Sequence, residues 1–109
     1  MRSIFVSLGA SIDYTPGAEV AAGDVLVIGD LVAVSERPIA AGKLGALAVE
    51  GLRSFPKAVD ASTALAQGTI VYWDAALQVA TADSSHKRLG LVAAAAADTD
   101  ASVHVLLGR

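Results

Sequence analysis

Short apolar runs, rich in β-branched residues and each cut by Gly, Pro, Asp or Ser, recur along the whole chain. Ile4-Phe5-Val6 is stopped by Gly9, and Ile12 to Tyr14 by Thr15-Pro16-Gly17, where Pro fixes φ and Gly permits positive φ. Val25 to Ile28 and Leu31 to Val34 flank the two-residue step Gly29-Asp30, which predicts a β-hairpin. Leu44 to Val49 forms a further run closed by Gly51. Leu52 to Lys57 follows, its Pro56 suiting an edge or exit rather than a central strand. From Gly68 to Thr81, GTIVYWDAALQVAT breaks at Asp74 and resumes in alternation, predicting a second hairpin. Ala82 to Lys87 reads as a polar loop, and Leu89 to Val92 as a strand. Val103, Val105 and Leu107 mark a final strand at period two.

One local device recurs. An apolar residue, Ala, any residue and Gly precede a β-prone run at Val20 to Gly23, Ile39 to Gly42 and Leu65 to Gly68. Its physical reading is a tight turn that drops the chain into a strand, with the leading apolar side chain pinned in the core. Laying Gly68 on Gly23 pairs Val25 with Ile70, Leu26 with Val71 and Val34 with Val79. The unequal spacing of the three glycines excludes a solenoid or propeller period.

Helix signals are weak. Ala58 to Gln67 predicts a turn or one loose helical turn, ended by Gly68. Ala93 to Ala97 has helical propensity, but five alanines without an amphipathic continuation are too few to hold a helix. The pattern therefore predicts an all-β fold: a small single-domain β-barrel or sandwich of nine or ten short strands with little helix.

Composition narrows what such a domain does. Hydrophobic residues are 54% of the 109, yet aromatics are 5% and charged residues 17%. Ordinary globular chains carry about 25% charge, so part of this surface is expected to be covered by self-association or a partner. The net charge of −3 and the scattered Lys and Arg argue against nucleic acid, which needs clustered cations to displace counterions. The one basic pair, Lys87-Arg88, is too short. No cysteine is present, so disulfides and thiolate metal sites are excluded. No apolar run approaches the ~20 residues of a membrane span, and the N-terminus lacks a signal-peptide core. No membrane partner is expected.

The search for catalytic chemistry returns little. Gly42-Lys43 is followed by Leu44, so the phosphate-loop pattern fails. His86 falls in the polar loop, and His104 alternates with Val103 and Val105, which puts it on the opposite strand face. Neither has a metal-ligand spacing or a nucleophile elbow around it. Asp24, Asp30 and Asp74 sit beside Gly or Ala, and Asp13 lies just ahead of Thr15-Pro16-Gly17, at strand ends where carboxylates accept backbone hydrogen bonds in turns. Tyr72 and Trp73 could stack on a sugar, but adjacent strand residues point to opposite faces, which favours core or subunit-contact roles. The competing readings are a carbohydrate-binding β module built on Tyr72 and Trp73, and a hydrolase using His86 or His104.

The succession of motifs resembles the phage capsid cement, or head decoration, proteins. It runs through IDYTP at 12–16, VAAGDVLVIGDLVAV at 20–34, IAAGKLGALAVEG at 39–51, PKA at 56–58, VYWD at 71–74, LGLV at 89–92 and VHV at 103–105. Arg53 and the alanine-heavy stretch 93–97 depart from the pattern. The resemblance implies a non-enzymatic structural virion protein without cofactor or metal. It would be made in the bacterial cytoplasm and bound, as a homotrimer, to the major capsid protein on the outside of an assembled head. Tyr72, Trp73 and His104 are the residues expected at a subunit or capsid contact.

Overall fold

The computed structural model describes residues 2–4 and 9–108, and none of these is helical. Nine strands follow in order: β1 (Ser11–Tyr14), β2 (Val25–Ile28), β3 (Leu31–Ser35), β4 (Gly45–Ala48), β5 (Gly51–Pro56), β6 (Ile70–Asp74), β7 (Val79–Thr81), β8 (Lys87–Val92) and β9 (Ser102–Leu107). They make a four-stranded sheet of order β1-β4-β3-β2 and a five-stranded sheet of order β5-β9-β8-β6-β7, with every strand pair antiparallel. The all-β expectation holds as a sandwich of two sheets. Of the first apolar run, Phe5 and Val6 lie outside the described residues, and Ile4 is exposed and belongs to no strand.

Alternation explains the outer strands, and its failure explains the central one. Along β9, Val103, Val105 and Leu107 are buried while Ser102, His104 and Leu106 face out. Along β3, Val32 and Val34 enter the main core with Val71, Trp73 and Leu89, whereas Ala33 enters a second cluster with Val20, Ile39 and Leu47. A strand covered on both faces has no polar side to show, hence the nearly continuous apolar sequence LVAV. The four-stranded sheet is therefore a middle layer, packed on one face by the five-stranded sheet and on the other by the segments around Val20 and Ile39.

Those two residues are the first uses of the turn-into-strand device, and they pair with each other. Val20 and Ile39 form an isolated antiparallel bridge, with reciprocal N–H to O distances of 2.9 and 2.8 Å. Leu65 makes the same exchange with Ala96, at 2.8 and 2.9 Å. Val20, Ile39 and Leu65 are all buried, and Gly23, Gly42 and Gly68 have φ of 88, 75 and 82°. The device thus has a fourth member that the sequence pattern missed. At Ala96-Ala97 the turn is closed by Asp100, whose carboxylate accepts the Ala97 N–H at 2.8 Å, as Asp24 accepts from Ala21 at 2.9 Å.

The longer equivalence between the two hairpins does not hold. Ile28 pairs with Leu31 across two turn residues, but Asp74 pairs with Val79 across four. Val34 is therefore the fourth residue of β3, whereas Val79 opens β7; the likeness of the two copies ends at the turn. Of the turn or loose helical turn expected in 58–67, the turn forms at Ala61-Ser62 and the helical one does not, because Thr63 and Ala64 give their N–H groups to the Asp98 carboxylate and Leu65 to Ala96. With those donors committed across the molecule, no local helical ladder can form.

The five-stranded sheet curls until its ends meet. Lys57, just after β5, bridges Ala80 of β7 in parallel. The molecule is thin, 43 × 36 × 22 Å, with a radius of gyration of 14.7 Å. A compact chain of this length is expected at about 13 Å.

Candidate functional site

The three residues singled out in the sequence separate. Trp73 is 2% exposed, inside the main core, with its ring edge-to-face against Phe55 at 6.0 Å and 62°. Its indole N–H is buried without a hydrogen-bond acceptor. Tyr72, next along β6, is half-buried on the outer face of the five-stranded sheet. His104 is exposed on that same outer face, opposite Ser54 of β5. Adjacent residues on opposite faces are what the strand geometry requires. The two rings form no common stacking platform, which removes the feature that motivated a carbohydrate site.

Between Tyr72 and His104 lies a feature that the sequence did not announce. Leu52 pairs with Leu106, Leu106 with Leu91, and Leu91 with Ile70, so one residue from each of β5, β9, β8 and β6 stands in line. Directly opposed residues share a face, and this row faces out: Leu52 is 62% exposed, Ile70 43% and Leu106 38%. Three inter-strand steps make the row roughly 14 Å long. Each leucine looks like an ordinary alternation in its own strand. Only the register across four strands makes them a row.

The titratable groups tie loops together. His86 Nε2 lies 3.5 Å from Asp74 Oδ2 and 3.6 Å from Asp83 Oδ2. Asp74 Oδ1 accepts the N–H groups of Ala76 and Leu77 at 3.0 and 3.1 Å, closing the β6–β7 turn. The Ser85 N–H, at 3.0 Å, and then its hydroxyl hold the Asp83 carboxyl below its ordinary range. Asp24 and Asp74 thus serve their turns as expected. Asp30, in the β2–β3 turn, reaches Lys87 of the other sheet at 2.6 Å instead, and Asp13 lies exposed within β1. Arg53 pairs with Glu36, while its own Nε is buried without a partner. Among the described residues, no group of three His, Asp or Glu side chains is placed to hold a metal ion.

Lys57, in the PKA motif, is a buried cation that no sequence signal announced. It is 4% exposed, and its ammonium donates to the Ala58 carbonyl at 2.7 Å, the Thr63 hydroxyl at 2.9 Å and the Asp98 carbonyl at 3.4 Å. Its work is to tie the 58–64 loop to the turn after Ala96.

Comparison with known proteins bears on the chain as a whole. No curated protein and no solved structure matches it. The family model described as phage cement protein matches residues 6–107, an interval that contains all nine strands, both bridged turn pairs and the apolar row. The chain belongs to the phage cement protein family, structural proteins that decorate the phage head.

Proposed function

We propose that this protein binds the outer surface of the major capsid protein lattice of an assembled phage head, as a homotrimer, and strengthens the shell. The family match over residues 6–107 carries this reading. Two physical features support it. The charge content of 17% is low for a fully solvated surface, and the row Leu52, Leu106, Leu91 and Ile70 is an exposed apolar strip flanked by Tyr72 and His104. In this reading the outer face of the five-stranded sheet meets the capsid. Many modest contacts suffice, because copies tied to one another raise each other's effective concentration at the shell.

The test is reconstitution. Purified protein is mixed with undecorated heads and sedimented, and the heads are then heated. The expected result is saturable co-sedimentation and release of packaged DNA at a higher temperature than from bare heads. Failure to co-sediment, or unchanged heat resistance at saturation, would overturn the proposal.

A further inference from the structure

The trimer proposed above needs an interface, and the four-stranded sheet has two edges to offer for one. Among the described residues, β1 and β2 are its edges. Asp24 accepts the Ser35 N–H at 2.9 Å, one step before the Val25–Val34 pair. Hydrogen-bonded pairs alternate in an antiparallel ladder, so Leu26 and Ile28 bond inward to β3, and Val25 and Val27 turn their N–H and C=O groups outward. At the other edge Val49 donates to the Ala10 carbonyl at 3.0 Å, one step before the Ser11–Ala48 pair. By the same alternation Ile12 and Tyr14 bond inward to β4, and Ser11 and Asp13 turn outward. Each edge therefore offers two donors and two acceptors. The β2 edge, Val25-Leu26-Val27-Ile28, also carries none of the charges or prolines that normally blunt a sheet edge.

We infer that β2 of one copy pairs with β1 of the next, head to tail, so that the four-stranded sheets join into a closed ring; this rests on the trimeric reading. Direction is compatible. Four strands alternating in sense leave β2 opposite in sense to β1, so a next copy added around an axis along the strands meets β2 antiparallel. Composition is compatible too. Pairing the outward groups sets Val25 against Asp13 and Val27 against Ser11 of the next copy, which places Leu26 beside Ile12 of the next copy. Leu26 and Ile12 both border the second apolar cluster, on the same side of the sheet. The join makes those clusters continuous.

An independent observation lies on the other side of the sheet. A cleft of about 260 Å³ beneath β2 is lined by Val25, Val34, Phe55 and Arg53, among others, and Arg53, which pairs with Glu36 through one terminal nitrogen, has a buried Nε without a partner. Ser11 pairs with Ala48 and Ala48 with Val34, so Ser11 and Asp13 share the face that Val25 turns to this cleft. In the ring, the exposed carboxylate of Asp13 stands opposite Val25 of its neighbour. It is an acceptor of the right charge for the Arg53 guanidinium.

Since the chain lacks cysteine, the register can be read by cross-linking. Leu26 and Ile12 of the next copy form a non-hydrogen-bonded pair, with Cα atoms about 4.5 Å apart, within disulfide reach. Inside one copy the same residues are three strand steps apart, roughly 14 Å, and cannot bridge. The double variant Leu26→Cys with Ile12→Cys should, on oxidation, run as a covalent trimer on a denaturing gel and revert on reduction, while each single variant stays monomeric there. A wild-type trimer by sedimentation without the cross-link overturns the edge pairing and leaves the trimer. Covalent dimers from Leu26→Cys alone would show β2 pairing with β2 about a two-fold axis instead. A wild-type mass of about 11 kDa at all concentrations overturns the trimeric reading itself. Asp13→Asn, an exposed change with no demand on the core, should raise the trimer dissociation constant about tenfold or more; an unchanged constant overturns the Asp13–Arg53 contact.

Discussion

Lys57 and Trp73 show how single residues hold a small, alanine-rich core. A buried ammonium is costly unless its protons are all used, and Lys57 has three neutral acceptors arranged around it. Lys57→Met keeps the stem and removes the donors, leaving the Thr63 hydroxyl and two carbonyls poorly satisfied. The expected loss is about 1–3 kcal/mol in urea unfolding. Trp73→Ala removes the largest side chain in the core, and a loss of about 3–5 kcal/mol is expected in the same measurement. A Trp73→Ala protein of normal stability that failed only to bind heads would contradict the core role. Asp30 makes a pH prediction. The hydrogen bond from Lys87, and then its charge, lower the Asp30 pKa. A depressed carboxylate contributes stability above its unfolded pKa of about 3.9, and that contribution is lost as pH falls through the lower folded value. Asp30→Asn should therefore narrow the stability gap between neutral pH and strong acid. The effect should be small, since the pair is exposed and screened by salt.

At the scale of elements, the hairpins and the last strand were legible because their signals are local. Gly29-Asp30 between two β-branched runs, and the period-two run from Val103 to Leu107, need no knowledge of the rest of the chain. The recurrent glycine turn was legible at 23, 42 and 68 for the same reason, since a positive φ favours glycine. Its fourth member was not, because Thr99 stands where the other three have glycine, although Asp100 closes the turn by the same side-chain bond that Asp24 makes. Nor was the partnership of the turns, two and two, which depends on contacts far along the chain. The same limit hid the apolar row. Leu52 and Leu106 are more than fifty positions apart, and only the β5–β9 register sets them side by side. Lys57 escaped notice because its three acceptors are a neighbouring carbonyl, a hydroxyl in the loop that follows and a carbonyl of one distant turn, and acceptors of that kind leave no mark in sequence.

For the molecule as a whole, thinness and unequal surfaces fit a role at a shell. One broad side carries the apolar row, whereas among the described residues the edges of the other sheet carry unspent backbone groups, so the proposed capsid binding and the proposed ring formation use different surfaces. The two should separate by mutation. Leu106→Arg puts a charge in the middle of the row while leaving both sheet edges intact. It should weaken co-sedimentation with heads about tenfold or more, with thermal unfolding and sedimentation mass unchanged. Head binding that survives Leu106→Arg would move the capsid contact off this face.

The paired turns also bear on the order in which the chain folds. The Val20–Ile39 clasp closes a loop of 19 residues and the Leu65–Ala96 clasp one of 31, by difference of their positions. Loop-closure entropy grows only with the logarithm of length, so the second closure is harder by about 0.4 kcal/mol, roughly a factor of two in probability. Each clasp can thus close within its own part of the chain, and at nearly the same cost. The β5–β9 pair, by contrast, joins residues 51–56 to 102–107 and cannot form until the last strand has been made. On a nascent chain the five-stranded sheet therefore completes late, when its last strand arrives. Truncation before Ser102 should leave the Val20–Ile39 amides protected from hydrogen exchange while the five-stranded sheet is lost.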